Sequence, residues 1–211
     1  MLSIIKTSAR RRLAGFLPVL VLLTAAGQPA LPQGKPQGKT AHIIIDPASD
    51  LKELGSYHIK IPKGWVDQPP NSGMRKIQSQ LPREKGDKED GELIVFYFGK
   101  GGAGTVEQNV ERWAKNFIQP DGSPSAKRAK VQKRQVAGLT ATIVELKGNY
   151  QVADAPMKMS SPTTTKPGFR MLAAIVETVD GPYYFKATGP ERTIDRWEAS
   201  FMQFIEGMKK R

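Results

Sequence analysis

Three glycines, Gly99, Gly101 and Gly104, are spaced as G-x-G-x-x-G between a predicted strand and a predicted helix. This spacing is typical of a turn that lets a pyrophosphate approach the N-terminus of a helix. A dinucleotide site also needs a parallel βαβ unit and an acidic residue about 20 positions later, at the end of a second strand. Here Asp121 lies in a predicted turn, and the neighbouring strands are predicted to be antiparallel. We therefore predict no cofactor, although an anion could bind the backbone N–H groups at Gly104 and Thr105.

Basic side chains form a second group of candidate contact residues. Lys127, Arg128, Lys130 and Arg134 fall in a predicted strand over residues 127–136. The alternation of side chains along a strand places Arg128, Lys130 and Arg134 on one face. Such a stripe could dock an anionic surface, or it could be an edge strand that its charges protect from aggregation. No aromatic residue interleaves it, which argues against single-stranded nucleic acid as a partner.

A third group of candidates lies on the predicted helix that follows the glycines and on the predicted final hairpin. Arg112 is expected on the exposed face of the helix, and the hairpin carries Arg170, Tyr184 and Lys186. These side chains are the polar groups with which we expect a partner to make contact, if the domain has a polar binding site.

The sequence contains no recognisable catalytic or metal-binding pattern. His42 and His58 are 16 residues apart, with no H-x-x-x-H pattern and no cluster of histidines and carboxylates. The lack of cysteine excludes disulfides, thiolate metal sites and a cysteine nucleophile. Ser49 and Lys52 match S-x-x-K, but the S-D-N and K-T-G motifs that accompany it in β-lactamases are absent. We predict no catalytic residue and no metal site. An extracytoplasmic, hydrolase-like enzyme with an unrecognised site is the alternative.

Residues 1–27 have the three parts of a secretory signal peptide. Four basic residues precede the apolar stretch Leu13–Leu23, which is too short to span a bilayer, since a spanning helix needs about 20 residues. Small residues then permit cleavage after Ala26 or Gly27. We expect export to the bacterial periplasm or the cell exterior, by the general or the twin-arginine route, and no integral membrane span after cleavage.

Composition indicates the kind of partner. Residues 28–40 contain a tandem P-Q-G-K repeat and are predicted to be a solvated linker. The chain has 32 Lys and Arg against 20 Asp and Glu, and removal of residues 1–27 takes away four basic residues and no acidic ones. The net charge that remains, about +8, favours an envelope protein with an acidic face or an anionic surface polymer. Export argues against nucleic acid.

Hydrophobic periodicity predicts a single α+β domain over residues 41–211. Strands are predicted at 41–45, 57–61, 74–81, 92–98, 127–136, 139–150, 171–179 and 183–188. One helix is predicted from Thr105 to Ile118, with a capping box formed by Thr105 and Gln108, and a second helix after Pro190. Residues 151–168 are predicted to be a long loop. Because strands joined by short turns pair in antiparallel fashion, we predict a central antiparallel sheet flanked by helices.

Several segments together resemble a family of exported bacterial proteins of unknown function. They are IPKGW at Ile61–Trp65, FYFGKGGAGTVEQNVERW, PGFRMLAAIVET and GPYYFKATGP, and the resemblance covers about residues 57–209. In outline the chain is also similar to the PsbP-like fold, which implies an α/β/α sandwich around an antiparallel sheet. Known members of that fold, which include photosystem extrinsic subunits and secretion-effector chaperones, mostly bind other proteins and share no catalytic site that could be carried over. The resemblance therefore implies a non-enzymatic binding or assembly module.

Overall fold

The computed structural model describes residues 50–153 and 163–211, which lie within the compact unit Ile44–Arg211. The predicted signal peptide 1–27, the linker 28–40, the strand 41–45 and the segment 154–162 lie outside the described residues. The described strands are β1 Leu51–Leu54, β2 Tyr57–Lys60, β3 Val66–Gln68, β4 Arg75–Leu81, β5 Gly91–Tyr97, β6 Phe117–Ile118, β7 Lys130–Val136, β8 Leu139–Ala153, β9 Thr163–Val176, β10 Tyr183–Pro190 and β11 Lys209–Lys210. The described helices are α1 Val106–Ala114 and α2 Glu191–Glu206, with a 3-10 turn at Ser125–Arg128.

Eight of the strands form one antiparallel sheet. Their order is β3-β4-β5-β10-β9-β8, and both β6 and β7 pair with the far edge of β8. The other three strands form a second antiparallel sheet in the order β1-β2-β11. The predicted α+β class with a central antiparallel sheet is confirmed.

The large sheet carries a hydrophobic core on each face. On one face α2 packs through Ile194, Phe201 and Phe204, and the ring of Trp65 meets Phe204 edge-on at 5.2 Å. On the other face α1 packs through Trp113 onto a separate cluster of buried residues. Burial of each of these side chains stabilises the fold by about 1.5–3 kcal/mol relative to exposure. Helices on both faces make the domain an α/β/α sandwich.

Helix α1 begins at the predicted capping box. The Thr105 hydroxyl accepts the Gln108 N–H at 3.2 Å, and the Gln108 side chain accepts the Thr105 N–H at 2.9 Å. The prediction that the helix continues to residue 118 is wrong, because Phe117 and Ile118 form β6 and pair with β8. Phe117 is nevertheless buried beside the helix, so its apolar character reflects the core rather than the helical repeat.

The prediction of a loop over residues 151–168 is wrong where the structure describes that segment. Strand β8 continues to Ala153, and β9 starts at Thr163, directly opposite it. Since β10 pairs with β9 only from Phe169 onward, residues 151–153 and 163–168 form a two-stranded arm beyond the main sheet. The threonines at 163–165 favour extended backbone, and β9 forms although Pro167 and Gly168, which disfavour strands, follow them.

Candidate functional site

The candidate residues of the final hairpin lie on opposite faces of the large sheet. Arg170 in β9 faces α2, where it donates hydrogen bonds to Asp195 at 2.7 Å and Glu198 at 2.8 Å. Tyr184 in β10 belongs to the α1-side core. Lys186, two residues further along the same strand, lies on that same face. The hairpin therefore does not join the three residues into one site.

Arg170 is the centre of an ion cluster between the sheet and α2. Its side chain is only 5% exposed, and Glu145 of β8 lies 3.2 Å from its guanidinium. Burial opposes the charge of Arg170, but the hydrogen bond to Glu198 and the neighbouring carboxylates outweigh this effect and raise its pKa. The same hydrogen bond lowers the pKa of Glu198. The charge of Arg170 thus serves to hold α2 against the sheet.

Arg112 and Tyr184 meet at the glycine-rich turn before α1. The Tyr184 hydroxyl accepts the Ala103 N–H at 2.8 Å, and the Arg112 guanidinium donates to the Ala103 carbonyl at 2.9 Å. Gly102 in this turn has a φ of 65°, and a Cβ there would lie 2.7 Å from the Tyr184 hydroxyl. The turn therefore requires glycine for its backbone geometry and its close approach to tyrosine.

The N-terminus of α1 already holds a negative group of the protein itself. Hydrogen bonds from its own backbone N–H and from the Thr105 hydroxyl lower the pKa of the Glu107 carboxylate. An external anion at Gly104 and Thr105 would compete with this carboxylate, so the anion site stays a prediction. The strand pairings of the described residues are antiparallel, so the turn lacks the parallel βαβ unit of a dinucleotide fingerprint.

The predicted basic strand starts three residues later than expected. Lys127 and Arg128 lie in the 3-10 turn, and β7 covers Lys130–Val136. The turn is held against β6 by the Ser125 hydroxyl, which donates to the Phe117 carbonyl at 2.8 Å. The expected alignment of Arg128 with Lys130 and Arg134 on one strand face is therefore wrong, and the Arg128 guanidinium instead forms an ion pair with Asp121.

Strand β7 is an exposed basic edge. Among the described residues it pairs only with β8, and residues 130–135 are all exposed. Lys130 and Arg134 share a face with Val136, which is buried in the α2-side core, and Lys133 points to the opposite face. Positive charge therefore lies on both faces of a strand whose outer edge is free in the described part of the chain.

A cavity of about 230 Å³ lies beside Lys186, between the two-stranded arm and the loop that precedes β5. Its apolar lining comes from Ile94, Tyr150, Val152 and Phe169. Its polar lining comes from Glu89, Asp90, Glu92, Lys166, Lys186 and Thr188. An ion pair between Lys166 of the arm and Glu89 of the loop joins two walls of this Lys186 cavity.

Three polar groups of the Lys186 cavity have no partner among the described residues. Thr188 is 9% exposed, and its hydroxyl forms no hydrogen bond. The Lys186 ammonium and the Tyr150 hydroxyl likewise form no hydrogen bond or ion pair in the described part of the chain. Burial lowers the pKa of Lys186 and raises the pKa of Tyr150. The Thr188 hydroxyl is buried, and a buried polar group without a partner destabilises a fold. Because the half-buried Lys186 and Tyr150 line the same space, the Lys186 cavity is the best candidate ligand site.

Sequence reasoning named Lys186 but not its cavity. The lining residues come from β5, β8, β9, β10 and a loop, which no local pattern connects. One signal was present in β10, where Lys186 and Thr188 alternate with apolar residues in a strand that lies inside the sheet. A lysine in the middle of an interior strand indicates either an ion pair or a site.

Other kinds of site find no support in the described residues. Between residues 50 and 153 and between 163 and 211, no three potential ligand side chains are grouped so as to hold a metal ion. Neither described helix has the length and apolar composition required to cross a membrane.

Comparison with known proteins yields similarity of structure only. No protein-family model and no curated protein match this chain. A solved structure of cyanobacterial PsbP from Synechocystis is 13% identical, covers 84% of this chain and 100% of its own, and has a TM-score of 0.45. A protein of unknown function from Pseudomonas aeruginosa is 13% identical, with coverage of 76% and 96% and a TM-score of 0.42. Both likenesses are of structure, at low sequence identity.

Proposed function

We propose that this protein is an exported, non-enzymatic binding module of the bacterial envelope, whose strand β7 docks an extended acidic segment of a partner protein. The observation that carries the proposal is the exposed edge of β7, with Lys130 and Arg134 on one face and Lys133 on the other. Lys127, in the preceding turn, adds a further exposed positive charge.

A polypeptide segment fits this edge better than a flat anionic surface does. A free strand edge offers backbone N–H and C=O groups to which an extended segment can add as a further strand. Side chains of an added strand alternate between the two faces, so acidic residues on it would meet lysines and arginines on both. A membrane surface or a sheet of polymer would contact the charges of one face only.

The proposed location outside the cytoplasmic membrane rests on the sequence. The basic and apolar composition of residues 1–27 supports export, and the lack of cysteine leaves no thiol to be oxidised there. The net charge of about +8 after removal of that segment supports an acidic partner, because it speeds association with opposite charge. Recovery of the expressed protein from the cytoplasm with residues 1–27 intact would contradict this part of the proposal.

The test is site-directed crosslinking from β7. The chain contains no cysteine, so the thiol of Gln132→Cys is the single attachment point for a thiol-reactive photo-crosslinker on the edge. We expect this variant, in the periplasm of an expressing bacterium, to trap an acidic protein. The matched control is Lys63→Cys, an exposed position outside β7, which should not trap it.

Removal of charge distinguishes binding at the β7 edge from general attraction between a basic protein and an acidic partner. The triple variant Lys127→Gln, Lys133→Gln, Arg134→Gln should lower crosslinking about tenfold at low salt. The control triple Lys60→Gln, Lys63→Gln, Lys85→Gln removes the same charge elsewhere on the exposed surface and should leave crosslinking unchanged. Equal losses in the two triples, or preferential binding to anionic lipid vesicles, would refute docking at the β7 edge.

A further inference from the structure

The Lys186 cavity has a surplus of hydrogen-bond donors. Its groups without partners in the described part of the chain are the Lys186 ammonium and the hydroxyls of Thr188 and Tyr150. An ammonium can only donate, and each hydroxyl has one hydrogen to donate. A group with several acceptor lone pairs is therefore the chemical complement of this lining.

The acidic groups of the cavity do not supply that complement, because they are already engaged. Glu89 pairs with Lys166, and Asp90 accepts a backbone N–H at 2.8 Å as well as a side-chain amide. Glu92 attracts Lys186 without forming an ion pair with it. Its carboxylate lies 3.5 Å from Arg75, which is not a lining residue, and accepts a hydrogen bond from the Gln78 amide at 2.9 Å. Within the described residues, Lys186 is thus the cation of this lining that has no ion pair.

The charges of the lining limit the charge of a ligand. Lys166 and Lys186 contribute two positive charges against the three negative charges of Glu89, Asp90 and Glu92. A dianion would meet twice the repulsion from these acids that a monocarboxylate meets, while a single unpaired ammonium, Lys186, can neutralise only one negative charge. Burial lowers the pKa of Lys186, and a bound carboxylate would oppose that effect.

The size and walls of the cavity limit the body of a ligand. A volume of about 230 Å³ has room for roughly eight water-sized groups at about 30 Å³ each, and is smaller than a typical drug-sized pocket. The rings of Tyr150 and Phe169 stack with centroids 5.7 Å apart and planes 4° apart, and the Lys166 ammonium lies 5.7 Å from the Phe169 centroid, so the aromatic lining stands beside cationic groups. Ile94 and Val152 add aliphatic surface. Short apolar or aromatic bodies fit such walls.

The geometry points to a binding site for a small monocarboxylate with a short apolar or aromatic body. The carboxylate is held by Lys186 and Thr188, with the Tyr150 hydroxyl as a further donor, and the body packs against Phe169. The site lies in a cavity enclosed in part by the two-stranded arm, whereas the partner-docking edge proposed above is β7. The two proposals therefore succeed or fail independently.

Benzoate is the probe for this site, and titration calorimetry with ligand-observed NMR on the purified full chain measures its binding. We expect benzoate to bind at least tenfold more tightly than benzamide, its neutral counterpart, and more tightly than inorganic phosphate. Lys186→Met should weaken benzoate binding at least tenfold. Thr188→Val, which keeps the side-chain shape, should weaken it by about threefold to tenfold.

The control is Lys60→Met, which makes the same chemical change at an exposed position on β2 and should leave benzoate binding unchanged. Near-ultraviolet circular dichroism verifies that each variant is folded, and Thr188→Val provides the test should Lys186→Met not fold. Equal affinity for benzoate and benzamide, tighter binding of phosphate, or benzoate binding that survives both cavity substitutions would overturn the proposal.

Discussion

Replacement of Arg170 by Met tests whether the ion cluster beneath α2 stabilises the domain through charge. The methionine keeps the apolar stem that packs between β9 and α2, and it removes the guanidinium from Glu145, Asp195 and Glu198. The remaining carboxylates would then repel one another, with only the exposed Lys130, 3.6 Å from Glu145, and Lys147 nearby to offset their charge. We expect the variant to fold and to be less stable at neutral pH.

The size of the effect follows from burial. Removal of one partner from a buried ion pair costs about 3–5 kcal/mol when it leaves a buried charge uncompensated. The side chains of Asp195 and Glu198 are 48% and 49% exposed, so water can solvate them, and we expect a smaller loss of about 2–3 kcal/mol. For a domain of this length that loss lowers the midpoint of thermal unfolding by roughly 4–12 °C.

The dependence on pH distinguishes charge from packing. The hydrogen bond from Arg170 lowers the pKa of Glu198 below its ordinary value of 4.5. A carboxylate whose pKa is lowered by folding contributes stability above its unfolded-state pKa and loses it as the pH falls through the folded-state pKa. The difference in midpoint between Arg170→Met and the unmodified protein should therefore be largest near pH 7 and should shrink at about pH 3.

Thermal unfolding followed by circular dichroism at both pH values is the assay. Arg128→Met is the matched control, because Arg128 also pairs with an acidic residue, Asp121, but both side chains are more than half exposed. This control should unfold at the same temperature as the unmodified protein. A loss for Arg170→Met that is equally large at low pH would refute the reasoning, since it would arise from packing rather than charge.

Three further substitutions test particular contacts by thermal unfolding at neutral pH. Gly189→Ala should destabilise the protein by about 1–3 kcal/mol because its Cβ would lie 2.6 Å from the Gly91 Cα, whereas Gly73→Ala, with no atom within 4 Å, should have little effect. Thr105→Ala removes the N-cap of α1 and should cost about 1 kcal/mol, which a substitution to Ser should largely avoid. Asp180 accepts hydrogen bonds from the backbone and the hydroxyl of Ser56 in the β1–β2 turn, and these bonds lower its pKa from 3.8. Asp180→Asn should therefore lower the midpoint of thermal unfolding at pH 7. The difference from the unmodified protein should fade as the pH falls below 3.8. A constant difference across pH would contradict this last prediction.

Elements with a complete local signal were predictable. Thr105 and Gln108 specify the start of α1, because both halves of the capping box lie within four consecutive residues. The turn at Asp180–Pro182 places a glycine at Gly181, where φ is 107° and a Cβ would lie 2.7 Å from the backbone of Lys100. Sequence alone could therefore place the β9–β10 hairpin, although it set the start of β9 too late.

Elements defined by distant partners were not predictable. Strands β1, β3 and β11 have two to four residues each, and they exist because a neighbouring strand supplies their hydrogen bonds. Phe117 has a local signal that is misleading. Its spacing from Trp113 fits a helix, but its backbone pairs with Tyr150 in β8. An apolar residue at a suitable interval cannot distinguish these two kinds of burial.

The candidate sites show the same division. The positive charge of β7 is visible in the sequence, but its exposure on both faces depends on the pairing of β7 with β8 and no other described strand. Arg170 and Lys186 look alike as basic residues of one hairpin. The two side chains point to opposite faces of the sheet. Helix α2 brings acidic residues to the face of Arg170, which becomes a structural cation, whereas Lys186 lines a cavity on the other face.

The three-stranded sheet has a consequence for how the domain folds. Lys209 of β11 pairs with His58 of β2, so one small sheet joins residues about 150 positions apart. Contacts of such high sequence separation form late and slow the folding of a domain. Synthesis of β1 through β10 cannot complete this sheet, and Met208, which is 3% exposed, also enters the core only after α2 has emerged. The domain would thus remain incompletely folded during synthesis until β11 has emerged and can pair with β2.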